Sequence, residues 1–169
     1  MKIVVNARPL IKPYTGMAQF AQNIFLELAR EDAENEYVLV VPEKVDLGDM
    51  PGNLKLKVLK EKALPGAGLR KTFWEQVQFP SLAKREGAGK IFHTYPANAW
   101  FGGGEIVTVH DCIPWMDSNY RKGLLSRLYH FMTRRAVKKA GKVVTVSETS
   151  KKDVVSVCGV SGEKIVVAY

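Results

Sequence analysis

Four stretches carry the side chains best suited to chemistry. His110 and Asp111 follow the run Ile106-Val107-Thr108-Val109. An imidazole there can donate to a sugar hydroxyl or to developing charge, and the neighbouring carboxylate can orient it or bind a hydroxyl. The same pair also suits a packed histidine beside an aspartate that caps the next turn. Thr15-Gly16 pairs an N-cap side chain with a residue lacking Cβ. A phosphate or sugar can approach the backbone there, where a helix N-terminus favours negative charge; alternatively, Gly16 only relieves a steric constraint. His93 begins a third stretch, running through Tyr95, Asn98, Trp100 and Phe101 to Gly102-Gly103-Gly104. Its aromatic faces can stack on sugar rings or bury beneath a neighbour. No Lys-Ser/Thr follows the glycines, as a phosphate loop requires, so they serve flexibility. In the fourth stretch Arg127, Arg134 and Lys138 share a stripe at spacings of seven and four, with Leu124, Leu128, Phe131 and Met132 on the adjacent arc. Such a helix is either a solvated face over a buried stripe or a contact for anionic lipid headgroups.

The elements that position these residues follow from pattern. Short β-branched runs at 3–5, 37–41, 54–58, 90–93, 106–109, 143–146 and 165–167 alternate with helical patterns. Gln19 to Ala29 has apolar residues at helical spacing, Leu69 to Lys84 reads as one or two helices that Pro80 bends or starts, and a basic helix runs from about Arg121 to Ala140. Gly141 suits a left-handed cap, and Ser147 suits an N-cap for a helix over Glu148 to Val157. Strands rich in Val and Ile on both faces, alternating with helices, indicate a doubly wound, mostly parallel, Rossmann-like α/β sheet. In such sheets ligands bind beyond the carboxyl ends of strands, where His110, Asp111, His93 and the Thr15-Gly16 loop fall.

Composition narrows the class. The 169 residues suit one ordinary domain, 1–169, with a full core. With 46% hydrophobic and 25% charged residues the chain is neither disordered nor fibrous. No apolar run approaches the roughly 18 residues a membrane span needs, and Lys2 to Arg8 is no signal peptide. Cys112 and Cys158 are far apart in sequence, which argues against a disulfide scaffold or thiolate metal site and suits a reducing cytosol. The net charge of +8 raises the expectation of an anionic partner. No helix-turn-helix, zinc or RNP-like signature supports nucleic acid. The chain ends on the strand Ile165-Val166-Val167, as a fragment cut at a domain boundary would.

Taken in order, several pieces resemble one family. Thr15-Gly16-Met17-Ala18-Gln19-Phe20 opens a helix, then come Val107-Thr108-Val109-His110-Asp111 and Val144-Thr145-Val146-Ser147-Glu148-Thr149-Ser150-Lys151-Lys152-Asp153, and last Gly159 to Val167. Their order and spacing are similar to the N-terminal half of the GT-B glycosyltransferases of family 4. The resemblance implies one of two facing Rossmann-like domains: the acceptor-binding half of a retaining nucleotide-sugar transferase, its C-terminal donor domain absent. It implies a role for His110 beside the transferred sugar, with Asp111 next to it, Thr15 and Gly16 at the donor phosphates, and His93, Tyr95, Asn98 and Trp100 toward a glycan or lipid-linked acceptor. The family's Glu-x7-Glu signature does not occur here, as expected if it belongs to the other domain, and Gly16-Met17 stands where many members have paired glycines. No metal or other cofactor is expected, since the leaving diphosphate can take the acceptor's proton. The implied setting is polysaccharide biosynthesis in the cytoplasm, with peripheral contact to an anionic membrane. The competing reading is a non-catalytic nucleotide- or phosphosugar-binding domain of the same fold.

Overall fold

The computed structural model describes residues 1–100 and 103–169, except the Arg121 side chain. Two compact units are present, Met1–Thr94 and Tyr95–Tyr169. Both are built from parallel strands returned by helices, which is the Rossmann-like α/β class the alternating pattern predicts.

In the first unit, β1 (Lys2–Asn6), β2 (Glu36–Val41), β3 (Leu54–Val58) and β4 (Lys90–His93) stand in the order β3-β2-β1-β4. All three pairings are parallel, with Val4 opposite both Val38 and Ile91 and Leu39 opposite Leu56. Side chains alternate across a strand, so both faces need cover. One face carries α1 (Gly16–Glu31): its Phe25 meets Phe92 edge-on at 5.0 Å and tilts against Tyr37 at 6.0 Å. On the other, Val4, Val38 and Val40 pack with Trp74, Phe79, Leu82 and Ala83. Those last four come from one interrupted helix. It comprises α2 (Ala67–Phe73), a π-helical turn (Trp74–Gln78) and α3 (Phe79–Arg85) with Pro80 in its first turn. Pro80 lacks the N–H an unbroken helix would need, and the wide turn before it absorbs the break.

The second unit orders β5 (Ile106–Thr108), β6 (Lys142–Thr145) and β7 (Ile165–Val167) consecutively, again parallel. Between them run α4 (Ile113–Met116), α5 (Leu124–Lys139) and α6 (Glu148–Cys158). Val107, Val109, Val137, Val143, Val154 and Ile165 form the core with Cys112, Trp115 and Cys158. The two cysteines, far apart in sequence, are therefore neighbours in space, both free and buried. The hydrogen bond to Cys158, and then burial, push the Cys112 thiol far above its ordinary value, so it stays protonated at neutral pH. Among the described residues no helix is long and apolar enough to cross a membrane.

Gly141 corrects one expectation. It does not adopt the left-handed conformation, and α5 is closed by Ala140 as its cap, with extended backbone. The glycine serves close approach instead, since a Cβ there would lie 2.6 Å from the Gly104 carbonyl oxygen. Its N–H also donates to the Glu105 carbonyl at 2.7 Å, locking the start of β6. A methyl group must displace backbone. Gly141→Ala is expected to cost about 2 kcal/mol or more of stability, measured by urea unfolding; an unchanged midpoint would refute this packing.

Candidate functional site

Position at the strand ends comes first. In the second unit the ladder continues one residue past β5, where the Val109 N–H donates to the Val144 carbonyl at 2.8 Å. His110 then leaves the sheet half-buried, and its carbonyl is fixed by a chain of hydroxyls. Ser147 caps α6, its Oγ accepting from the Ser150 N–H at 3.1 Å. The Ser147 hydroxyl in turn donates to Ser150 Oγ at 3.1 Å, and the Ser150 hydroxyl donates to the His110 carbonyl at 2.7 Å. The backbone from which the imidazole projects is thus tied to the first turn of α6. Asp111 is exposed, and its Oδ1 accepts from the Ile113 N–H at 2.9 Å, capping the turn into α4. That bond is the structural role open to it from the sequence, and it leaves the second carboxylate oxygen uncommitted to this turn.

In the first unit the segment after β1 is also ordered by polar contacts. Thr15 Oγ1 accepts from the Ala18 N–H at 3.3 Å and donates to the Lys12 carbonyl at 2.9 Å, as a helix cap should. Gly16 follows with nothing within 4 Å of the place a Cβ would occupy and without a positive φ. The steric explanation for this glycine therefore fails. Asn6 ends β1 and Arg8 opens the short 3-10 turn after it, Arg8–Ile11. Asn6 is fully buried with its Nδ2 3.4 Å from His93 Nδ1. Arg8 pairs with Glu61 through contacts of 2.6 and 3.1 Å. The strand-end rule covered both residues. Glu75, 0% exposed with Lys71 Nζ 3.6 Å away, had no such signal, because it lies within the π-helical turn.

The aromatic stretch is mostly interior. His93 is 0% exposed and meets Phe79 edge-on at 5.3 Å. Tyr95 is buried, and buried Asn98 donates from Nδ2 to the Ala136 carbonyl at 2.8 Å. Half-buried Trp100 meets Tyr129 edge-on at 6.0 Å. These side chains fix the loop's backbone; Phe101 and Gly102 lie outside the described residues. The basic stripe divides. Arg127 and Arg134 line an open groove with Trp115, Ser118, His130 and Phe131. Lys138 lies elsewhere, with its Nζ 3.8 Å from the place of a Cβ on Gly159, beside the negative end of the α6 dipole. Among the described residues no three His, Cys, Asp or Glu side chains gather as a metal site.

Comparison with known proteins follows this geometry. The model of the family described as Glycosyltransferase Family 4 matches residues 14–169. Among curated proteins none matches. Among solved structures, WaaG, a glycosyltransferase involved in lipopolysaccharide biosynthesis, superposes with a TM-score of 0.65 at 15% identity over 99% of this chain and 44% of its own. The apo form of WaaB, a lipopolysaccharide outer core galactosyltransferase, gives 0.57 at 14% identity over 100% and 45%. These likenesses show the fold, and this chain spans less than half the length of either protein.

The hydroxyl chain makes its own prediction. Ser150→Ala removes a donor from a partly buried carbonyl and is expected to cost about 1–2 kcal/mol, and Ser147→Ala about 1 kcal/mol as a lost cap. Because the two hydroxyls bond each other, the double variant is expected to lose less than the sum. Strict additivity in urea unfolding would show that they act separately.

Proposed function

Because the chain belongs to glycosyltransferase family 4, we propose that it is the acceptor-binding half of a retaining transferase. The enzyme would move a hexosyl group from a nucleotide-sugar donor to a glycan or lipid-linked acceptor during polysaccharide synthesis at the cytoplasmic side of a membrane. The observation that carries this reading is Gly16. A glycine in the first turn of a helix costs stability relative to alanine, and here neither backbone conformation nor packing demands it. What a missing Cβ provides is access to the N–H groups of a helix start, which suits a donor diphosphate.

In the proposed reaction the bond between the anomeric carbon and the diphosphate oxygen breaks, and the acceptor hydroxyl oxygen bonds to the same face of that carbon. The acceptor proton passes to the departing diphosphate, so this chain supplies neither nucleophile nor metal. His110 donates from its imidazole to a hydroxyl of the transferred sugar and so holds the ring in place as the anomeric bond breaks, from a backbone held by Ser150. Asp111 stands at the rim of the same turn. The loop containing His93, Tyr95, Asn98 and Trp100 forms the acceptor side, its buried members setting its course.

The test is a transfer assay on this chain alone and on the chain joined to a family 4 donor domain, with a panel of nucleotide sugars and lipid-linked acceptors. The chain alone is expected to show no turnover, and the joined protein turnover with retained anomeric configuration. Gly16→Ala is expected to fold with unchanged or higher Tm and to lower kcat/KM by about tenfold or more, as the loss of a positioned phosphate contact does. Robust transfer by the chain alone would overturn the two-domain reading. Nucleotide-sugar binding without turnover in the joined protein would favour the non-catalytic alternative.

A further inference from the structure

The interrupted helix of the first unit leaves one stripe outside the core. Trp74, Phe79, Leu82 and Ala83 pack inward, while Phe73, Val77, Ser81 and Lys84 line an open groove of about 610 Å³. These four follow one another at spacings of four, four and three, as neighbours along a helix surface do. Leu59 and Lys62, on the segment after β3, supply further lining, as does Arg85. Val77 is 46% exposed, and Phe73 and Leu59 are half-buried, so the apolar part of the groove is uncovered. Side chains of the helix hold the segment after β3 in place. The Leu59 N–H donates to the Val41 carbonyl at 2.8 Å, and the Leu59 carbonyl accepts from Trp74 Nε1 at 2.6 Å. Gln78 grips the next residues: its Oε1 accepts from the Lys62 N–H and its Nε2 donates to the Lys60 carbonyl, both at 3.0 Å. Lys62 Nζ lies over the Phe73 ring, 5.7 Å from its centroid. A groove preformed in this way asks little further ordering of the protein when a partner binds.

The groove's positive charge is not answered within the chain. Glu61 and Glu86, the acidic residues next in sequence to its cations, pair instead with Arg8 and Arg70 and with Lys2 and Lys57. Among the described residues Lys62, Lys84 and Arg85 take part in no ion pair. An apolar lining set among three such cations is complementary to a segment that carries apolar and acidic side chains together. A net charge of +8 also draws acidic partners from a distance. Free phosphate or a nucleic-acid backbone would meet the cations but leave Leu59 and Val77 uncovered.

We propose that this groove is a docking site for an acidic, amphipathic helical segment of a partner protein. Two apolar side chains one turn apart seat on Leu59, Phe73 and Val77, and carboxylates beside them pair with Lys62, Lys84 and Arg85. The groove serves this role whether or not the chain transfers sugar, and binding is read without any transfer assay.

The purified chain is titrated against a fluorescent helical peptide of about 18 residues, roughly five turns, with leucines one turn apart among glutamates and alanines. A scrambled peptide of the same composition keeps the charge and loses the apolar stripe. The ordered peptide is expected to bind about tenfold or more tighter than the scramble and to weaken as salt rises. Replacing Lys84 and Arg85 by glutamine is expected to weaken it about tenfold. Val77→Glu, at an exposed helical position that accepts glutamate, is expected to abolish binding, and the milder Val77→Ala to weaken it about fivefold. Circular dichroism and melting check that each variant folds. No binding, equal binding of the two peptides, or full binding by folded Val77→Glu would overturn the proposal. So would tighter binding of a single-stranded oligonucleotide, or of phosphatidylglycerol vesicles, that the same variants abolish, since a polyanion or a membrane would then be the occupant.

Discussion

Parallel pairing is the constraint on which the rest of the chain depends. Every registered strand pair within each unit is parallel, and parallel neighbours cannot be joined by a tight hairpin. The chain must cross over between strands, and the crossovers are the helices that cover the sheet faces. Parallel strands also end on the same side, so in each unit the loops leaving the carboxyl ends gather at one edge. Asn6, Arg8 and the Thr15-Gly16 turn owe their place to that rule in the first unit, and His110 and Asp111 owe theirs in the second.

Within this frame, two glycines differ in what the fold asks of them. Gly141 is required because a neighbouring carbonyl occupies the space a Cβ would need. Gly16 has open space and ordinary backbone, so its lack of a side chain has no purpose in the fold. One residue type thus answers a packing demand in one unit and none in the other. Ser147 and Ser150 bind at two places, because the same hydroxyls that start α6 also hold the His110 carbonyl.

Much of this was legible in the sequence because it depends on local signals. β-branched runs mark the strands, Thr15 and Ser147 mark helix starts through their own backbone bonds, and Pro80 marks the break in the second long helix. What was not legible depends on contacts between distant residues. Periodicity shows that Leu124, Leu128 and Phe131 share a stripe but not which way it faces; the small side chains of Ala136 and Thr133 take the inner side instead. No local pattern brings Cys112 to Cys158, or Ser150 to the His110 carbonyl. The aromatic stretch shows the same limit, since no local pattern pairs His93 with Phe79 or Asn98 with the Ala136 carbonyl.

The central claim is that His110, presented at a strand end by a braced backbone, acts on the transferred sugar. The most direct measurement is turnover and melting temperature on one variant, His110→Ala, in a protein that joins this chain to a donor domain. The account predicts turnover reduced about 100-fold or more, with little change in melting, because the half-buried side chain sits outside the second unit's apolar core. A lowered melting temperature with near-normal turnover by the folded fraction would contradict it, and His110 would then be a packing residue.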